Sequence, residues 1–108
     1  MEALDSAVAA LISEIKNTDK YRRYQMEKEK VNRFPELKQQ IDIFRQRTFE
    51  LQNMPSNEDL FYKMEAFDRE YEQFLENPIV ADFLAAELDL CRMMQDVTGR
   101  LTDALDFE

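Results

Sequence analysis

The chain has no histidine and no tryptophan, and only one cysteine, one glycine and three prolines in 108 residues. Without histidine there can be no Ser-His triad, no imidazole general base and no His-based metal site. The lone Cys91 excludes an internal disulfide and any multi-cysteine zinc site within one chain. A single glycine leaves little material for tight hairpins, and each proline stands where a helix can start. Long apolar runs are also missing, so no stretch reaches membrane-spanning length. Glu2 and Asp5 sit where a secretory leader needs bases, and the chain reads as cytoplasmic.

What the chain does have is charge on a helical pattern. Hydrophobic residues make up 44% and charged residues 34%, which suits a helical protein better than a disordered one. The length fits one domain, residues 1–108, with a modest core. The formal charge is −9, but residues 1–47 carry ten bases and eight acids, whereas residues 48–108 carry four and fifteen. A generally acidic surface argues against non-specific phosphate binding, which depends on Lys and Arg.

Five helical segments fit the periodicity, and no segment alternates with period two. The first runs from about Glu2 to Lys16, with Leu4, Ala7, Val8, Leu11, Ile12 and Ile15 on one face. Asn17-Thr18-Asp19 supplies stop and cap chemistry. The second segment, to about Asn32, is weakly amphipathic, and its Tyr21, Tyr24 and Val31 stripe has Lys28 in the middle. Phe34-Pro35-Glu36 restarts a helix striped by Leu37, Ile41, Phe44, Thr48 and Leu51. Asn53 to Asn57 forms the clearest loop, and a fourth helix carries Leu60, Met64, Phe67, Tyr71 and Phe74 or Leu75 to Glu76.

Asn77-Pro78 then opens a fifth helix reaching about Leu105, roughly 40 Å long at the usual rise per residue. Its stripe is Val80, Phe83, Glu87, Leu90, Met94, Val97, Leu101 and Ala104, and Leu84, Ala85, Leu88 and Cys91 lie off it. An apolar arc this wide is either central or shared between chains. The pattern predicts an all-α bundle of about five helices, with helices three to five antiparallel, oligomerising through its C-terminal half. The expected interface is Val80, Phe83, Leu84, Glu87, Leu90, Met94, Val97 and Leu101.

Few residues carry candidate chemistry. Glu87 within an apolar stripe is an acid–base candidate, but no second catalytic group accompanies it. A register-setting contact to Arg45, Arg47 or Arg92 explains it better. Cys91, mid-helix, reads as a small buried hydrophobe rather than a redox thiol. From Lys16 to Arg33 there are seven bases and three acids with interleaved tyrosines. Lys20, Arg22, Arg23, Lys28 and Lys30 form a candidate partner or RNA surface. Glu27 and Glu29 dilute it, and Glu27 is placed for an i,i+3 pair with Lys30. Met93, Met94, Met54 and Met64 suit an adaptable groove or core filling equally well. Asp103, Asp106 and Glu108 put negative charge at a helix C-terminus, which predicts a frayed end or a basic partner.

Three stretches resemble a known family: residues 7–21 (Ala-Val-Ala-Ala-Leu-Ile-Ser-Glu-Ile-Lys-Asn-Thr-Asp-Lys-Tyr), Arg33-Phe34-Pro35-Glu36-Leu37 before Phe44, and residues 75–87 (Leu-Glu-Asn-Pro-Ile-Val-Ala-Asp-Phe-Leu-Ala-Ala-Glu). With them the whole chain resembles the YlbF/YmcA family of small bacterial helical proteins, including its YheA-type members. The resemblance implies an all-α bundle that forms dimers or higher assemblies and is not an enzyme. It also implies an adaptor role with YmcA-, YlbF- or YaaT-like proteins, acting on the endoribonuclease RNase Y and through it on competence, sporulation and biofilm formation. Some relatives are associated with cysteine-held iron–sulfur clusters. This chain has only Cys91 and no cysteine-bearing tail, so no cofactor is expected for one chain. Direct RNA binding through Lys16–Arg33, or purely structural self-assembly, are the alternative readings.

Overall fold

Five helices follow one another, with no strand among the described residues: α1 (Glu2–Lys16), α2 (Asp19–Asn32), α3 (Pro35–Gln52), α4 (Glu58–Glu76) and α5 (Pro78–Ala104). The computed structural model describes residues 1–106. The all-helical reading with a long last helix holds, and the boundaries fall where local capping chemistry puts them. The Thr18 hydroxyl donates to the Ile15 carbonyl at 2.7 Å and accepts from the Tyr21 N–H at 3.2 Å, closing α1 and opening α2. Asn57 caps α4 by accepting from the Leu60 N–H at 2.9 Å. Glu58 and Asp59 follow in the first turn, where negative charge meets the positive end of the helix dipole. Asn77 alone joins α4 to α5, with extended backbone and a side chain that accepts from the Ile79 N–H at 3.0 Å.

Asp103 stays within α5, and the helix stops where Asp106 takes a left-handed φ of 52°. Aspartate tolerates that conformation better than most residues. Glu108 lies outside the described residues.

The chain divides into two compact units, one formed by Met1–Lys28 and the chain from Phe83 onward, the other by Glu29–Asp82. The second unit is built on the α3–α4 hairpin. As numbering rises along α3 from Phe44 to Arg47, the contacts on α4 fall from Phe74 towards Phe67, so the two helices run antiparallel. Phe44 lies 5.5 Å from Phe67, 5.1 Å from Tyr71 and 5.7 Å from Phe74, ring centre to ring centre. Such pairs add to the gain from burying their area. Ile41 and Phe67 are buried in this unit, as are Val31 and Val80.

One turn beyond Phe44, the Arg47 guanidinium lies over Phe67 and Tyr71, at 5.3 and 5.2 Å from the ring centres. It donates to Glu70 at 2.8 Å and to the Tyr71 hydroxyl at 3.1 Å. That hydrogen bond from Arg47 outweighs desolvation and holds the Glu70 carboxyl below the ordinary carboxylate range.

In the first unit, α2 meets α5 through Tyr24 and Phe83, 5.8 Å between ring centres, and through an Arg23–Asp89 ion pair at 3.2 Å. Phe83, Ala86 and Glu27 are buried. The α2 stripe is therefore corrected by one residue. Glu27, not Lys28, occupies the middle of the inward face, because Tyr24, Glu27 and Val31 follow the 3-4 spacing and Lys28 points to solvent.

Two measurements test this account. Glu70 has a depressed carboxyl pKa in the folded state, so its pair with Arg47 stabilises fully above the unfolded value. That contribution is lost as pH falls through the folded one. The stability gap between the parent and Glu70→Gln should accordingly close as pH drops from neutral through the carboxylate range. Urea midpoints read at several pH values check this, and a constant gap contradicts it. Gly99 sits inside α5, where an added Cβ meets nothing within 4 Å. Gly99→Ala should gain about 0.5–1 kcal/mol, read as a higher Tm, since glycine weakens a helix interior.

Candidate functional site

The eight interface candidates on α5 fall into different environments along the helix. Val80 and Phe83 are buried within the chain's own fold. Leu84, Glu87, Leu90 and Val97 are half-buried. Met94 and Leu101 are open to solvent, at 39% and 52% exposure. The stripe thus begins as core and ends as surface. Of the arginines considered for Glu87, Arg47 is held by Glu70.

Cys91 is exposed, which corrects the buried reading. It follows Leu88 by three residues and precedes Gln95 by four, so it shares their solvent-facing side of α5. Together with the absence of histidine, this leaves no ligand set: among the described residues, no group of three or more His, Cys, Asp or Glu can hold a metal ion. Among the same residues, no helix is long and apolar enough to cross a membrane.

The surface that sequence reasoning missed is α1. None of its residues is buried. Leu4 is 56% exposed, Val8 47%, Leu11 38% and Ile12 47%. Leu4, Val8, Leu11 and Ile15 follow a 4-3-4 spacing that alternates leucine with β-branched residues, the pattern of a two-stranded helix seam. The signal was legible as amphipathicity, but amphipathicity says that a face needs cover, not which chain supplies it.

The basic segment lies on α2. Lys20, Arg22, Arg23, Lys28 and Lys30 are all exposed, and Arg23 is engaged by Asp89. With Glu27 buried, fewer acids dilute the exposed bases than the sequence suggested. Tyr24, one of the two tyrosines placed for base stacking, is instead turned onto Phe83.

Open clefts flank the α3–α4 hairpin. One, of about 430 Å³, is lined by Leu37, Ile43, Tyr71 and Phe74. Another, of about 260 Å³, lies nearer the connecting loop and is lined by Leu51, Met54, Leu60, Met64 and Phe67. Both are shallow; the second is predominantly hydrocarbon-walled, whereas Gln40, Glu70, Gln73 and Asn77 also line the first. Neither brings together a nucleophile, a base and an oxyanion donor, the set that covalent catalysis needs. Such surfaces suit polypeptide contact.

Among known proteins, the family described as Control of competence regulator ComK, YlbF/YmcA matches residues 4–106. A UPF0342 protein of Caldicellulosiruptor bescii is 25% identical over 100 residues, covering 91% of this chain and 84% of that protein. A UPF0342 protein of Caldicellulosiruptor saccharolyticus is 22% identical over 100 residues, covering 91% and 83%. No solved structure matches. The five helices, the Asn77-Pro78 junction and a match spanning nearly the whole chain lead to one assignment: this chain belongs to the YlbF/YmcA family, whose role is regulatory.

Proposed function

We propose that the protein is a non-enzymatic regulatory adaptor that assembles with copies of itself and docks on RNA-processing machinery of the RNase Y type. The observation that carries this reading is the uncovered apolar face of α1, lying in the same unit as the open end of the α5 stripe. A 15-residue helix is marginal on its own in water, so most of its stability must come from packing. Fully burying a leucine, valine or isoleucine is worth about 1.5–3 kcal/mol, and four such side chains on α1 remain roughly half open. A second copy is the natural cover. Its α1 offers the same Leu–Val–Leu–Ile seam, and its α5 offers Met94, Val97 and Leu101. The regulatory family supplies the setting, and RNA processing, sporulation and biofilm control follow from the resemblance of the three sequence stretches.

The exposed α2 bases favour one second reading, direct RNA binding through Lys20, Arg22, Lys28 and Lys30. The tyrosine turned inward and the acidic remainder of the chain weigh against it.

Light scattering over a concentration series should return at least a dimer, and Val8→Glu with Leu11→Glu should shift it to monomer while the circular dichroism stays helical. A parent protein that is monomeric throughout defeats the self-assembly. A tagged pull-down from the source bacterium should recover RNase Y or a YaaT-like protein. Recovery of RNA alone, lost as salt is raised, would transfer the assignment to the RNA reading.

A further inference from the structure

The loop end of the α3–α4 hairpin carries a second surface. Its groove is floored by Leu51, Met54, Leu60 and Phe67, with Met64 in its wall at 49% exposure. Large side chains stand open on the same two helices: Phe49 at 66% and Phe61 at 60%, with Tyr62 at 64% on the far side of α4. Phe61 and Tyr62 meet edge to face, 5.8 Å between ring centres. Helical spacing puts Phe61 one turn before Met64 and Phe49 one turn before Gln52, both of which line the groove. No structural need accounts for three exposed aromatics at one end of a hairpin.

Charge selects the occupant. Glu58, Phe61, Glu65 and Asp68 run along one face of α4, and Asp68 lines the groove itself. Residues 50–76 carry eight acids (Glu50, Glu58, Asp59, Glu65, Asp68, Glu70, Glu72, Glu76) against Lys63 and Arg69. We infer that this groove docks a basic amphipathic helix of a partner protein, with two or three apolar anchors seated between Phe49 and Phe61 and Lys or Arg meeting Glu65 and Asp68. Methionines lining an apolar groove accommodate such anchors readily. The distance along α4 from Leu60 to Phe67 is about 10 Å, the span of anchors at i, i+4 and i+7. A second copy does not fit. Its basic helix α2 turns Tyr24 and Val31 inward, and its apolar helix α1 brings Glu2, Asp5 and Glu14 towards the carboxylates.

This inference rests on the adaptor reading and names the chemistry of one partner segment. The probe is a synthetic Leu/Lys amphipathic peptide of about 18 residues, long enough for several helical turns, with a Leu/Glu peptide of the same pattern and a scrambled Leu/Lys peptide as comparisons. Titrated into full-length protein labelled at its methionine methyls, the Leu/Lys peptide should shift Met54 and Met64. Affinity should fall about tenfold in Phe61→Ser/Tyr62→Ser, as loss of aromatic anchors predicts. Because those positions are exposed, the variant should keep the parent's melting curve and oligomeric state. Glu65→Lys with Asp68→Lys should turn the preference to the Leu/Glu peptide. Equal binding of the scrambled peptide, or indifference to both variants, would reduce the effect to attraction by the net charge and overturn the proposal. Shifts of Met64 that grow with protein concentration alone would make the groove a self-interface and overturn it equally. Partner capture in the pull-down that survives both variants overturns the groove while leaving the adaptor reading intact.

Discussion

The insertion of Phe44 between Phe67, Tyr71 and Phe74 is the contact on which the α3–α4 hairpin depends. It commits three turns of α4 to one side chain of α3 and thereby sets the register of the pair. Arg47 then covers the seam from the solvent side, lying on two rings and tied to Glu70 and Tyr71. An arginine suits this place better than a lysine, because its planar group can stack and hydrogen-bond at once. With the register fixed, the helix ends and the loop from Asn53 to Asn57 fall at one pole, where the exposed aromatics gather.

The first unit follows a different economy of packing. Its buried contacts run between α2 and α5, with Phe83 and Ala86 covered and Glu27 drawn in beside them. α1 contributes helix but no buried residue. An Ala-, Leu- and Val-rich helix in this condition is the face that the proposed self-assembly would cover.

Helix boundaries were legible because the residues that end and begin helices act locally. Thr18, Pro35, Asn57 and Asn77 each satisfy or replace backbone donors within their own turn. The antiparallel hairpin was legible because both stripes, Thr48 apart, are apolar or aromatic at every turn. The inner face of α2 was misjudged by one position because Glu27 is charged, and a charged residue is ordinarily read as surface. Cys91 failed the other way, since its type favours burial but its place on α5 does not. On α5, periodicity marked a stripe that is apolar apart from Glu87. It carried no information on which turns the chain covers for itself, so Val80 and Phe83 looked the same as Leu101.

The exposure of Cys91 has a practical consequence. As the one thiol of the chain, standing clear on a single turn of α5, it gives every copy one chemically unique attachment point. Any label placed there sits on a rigid helix, and a closed assembly repeats it by symmetry. The set of label-to-label distances then reports the arrangement of copies, one distance for a twofold pair or a threefold ring and two or more for larger rings.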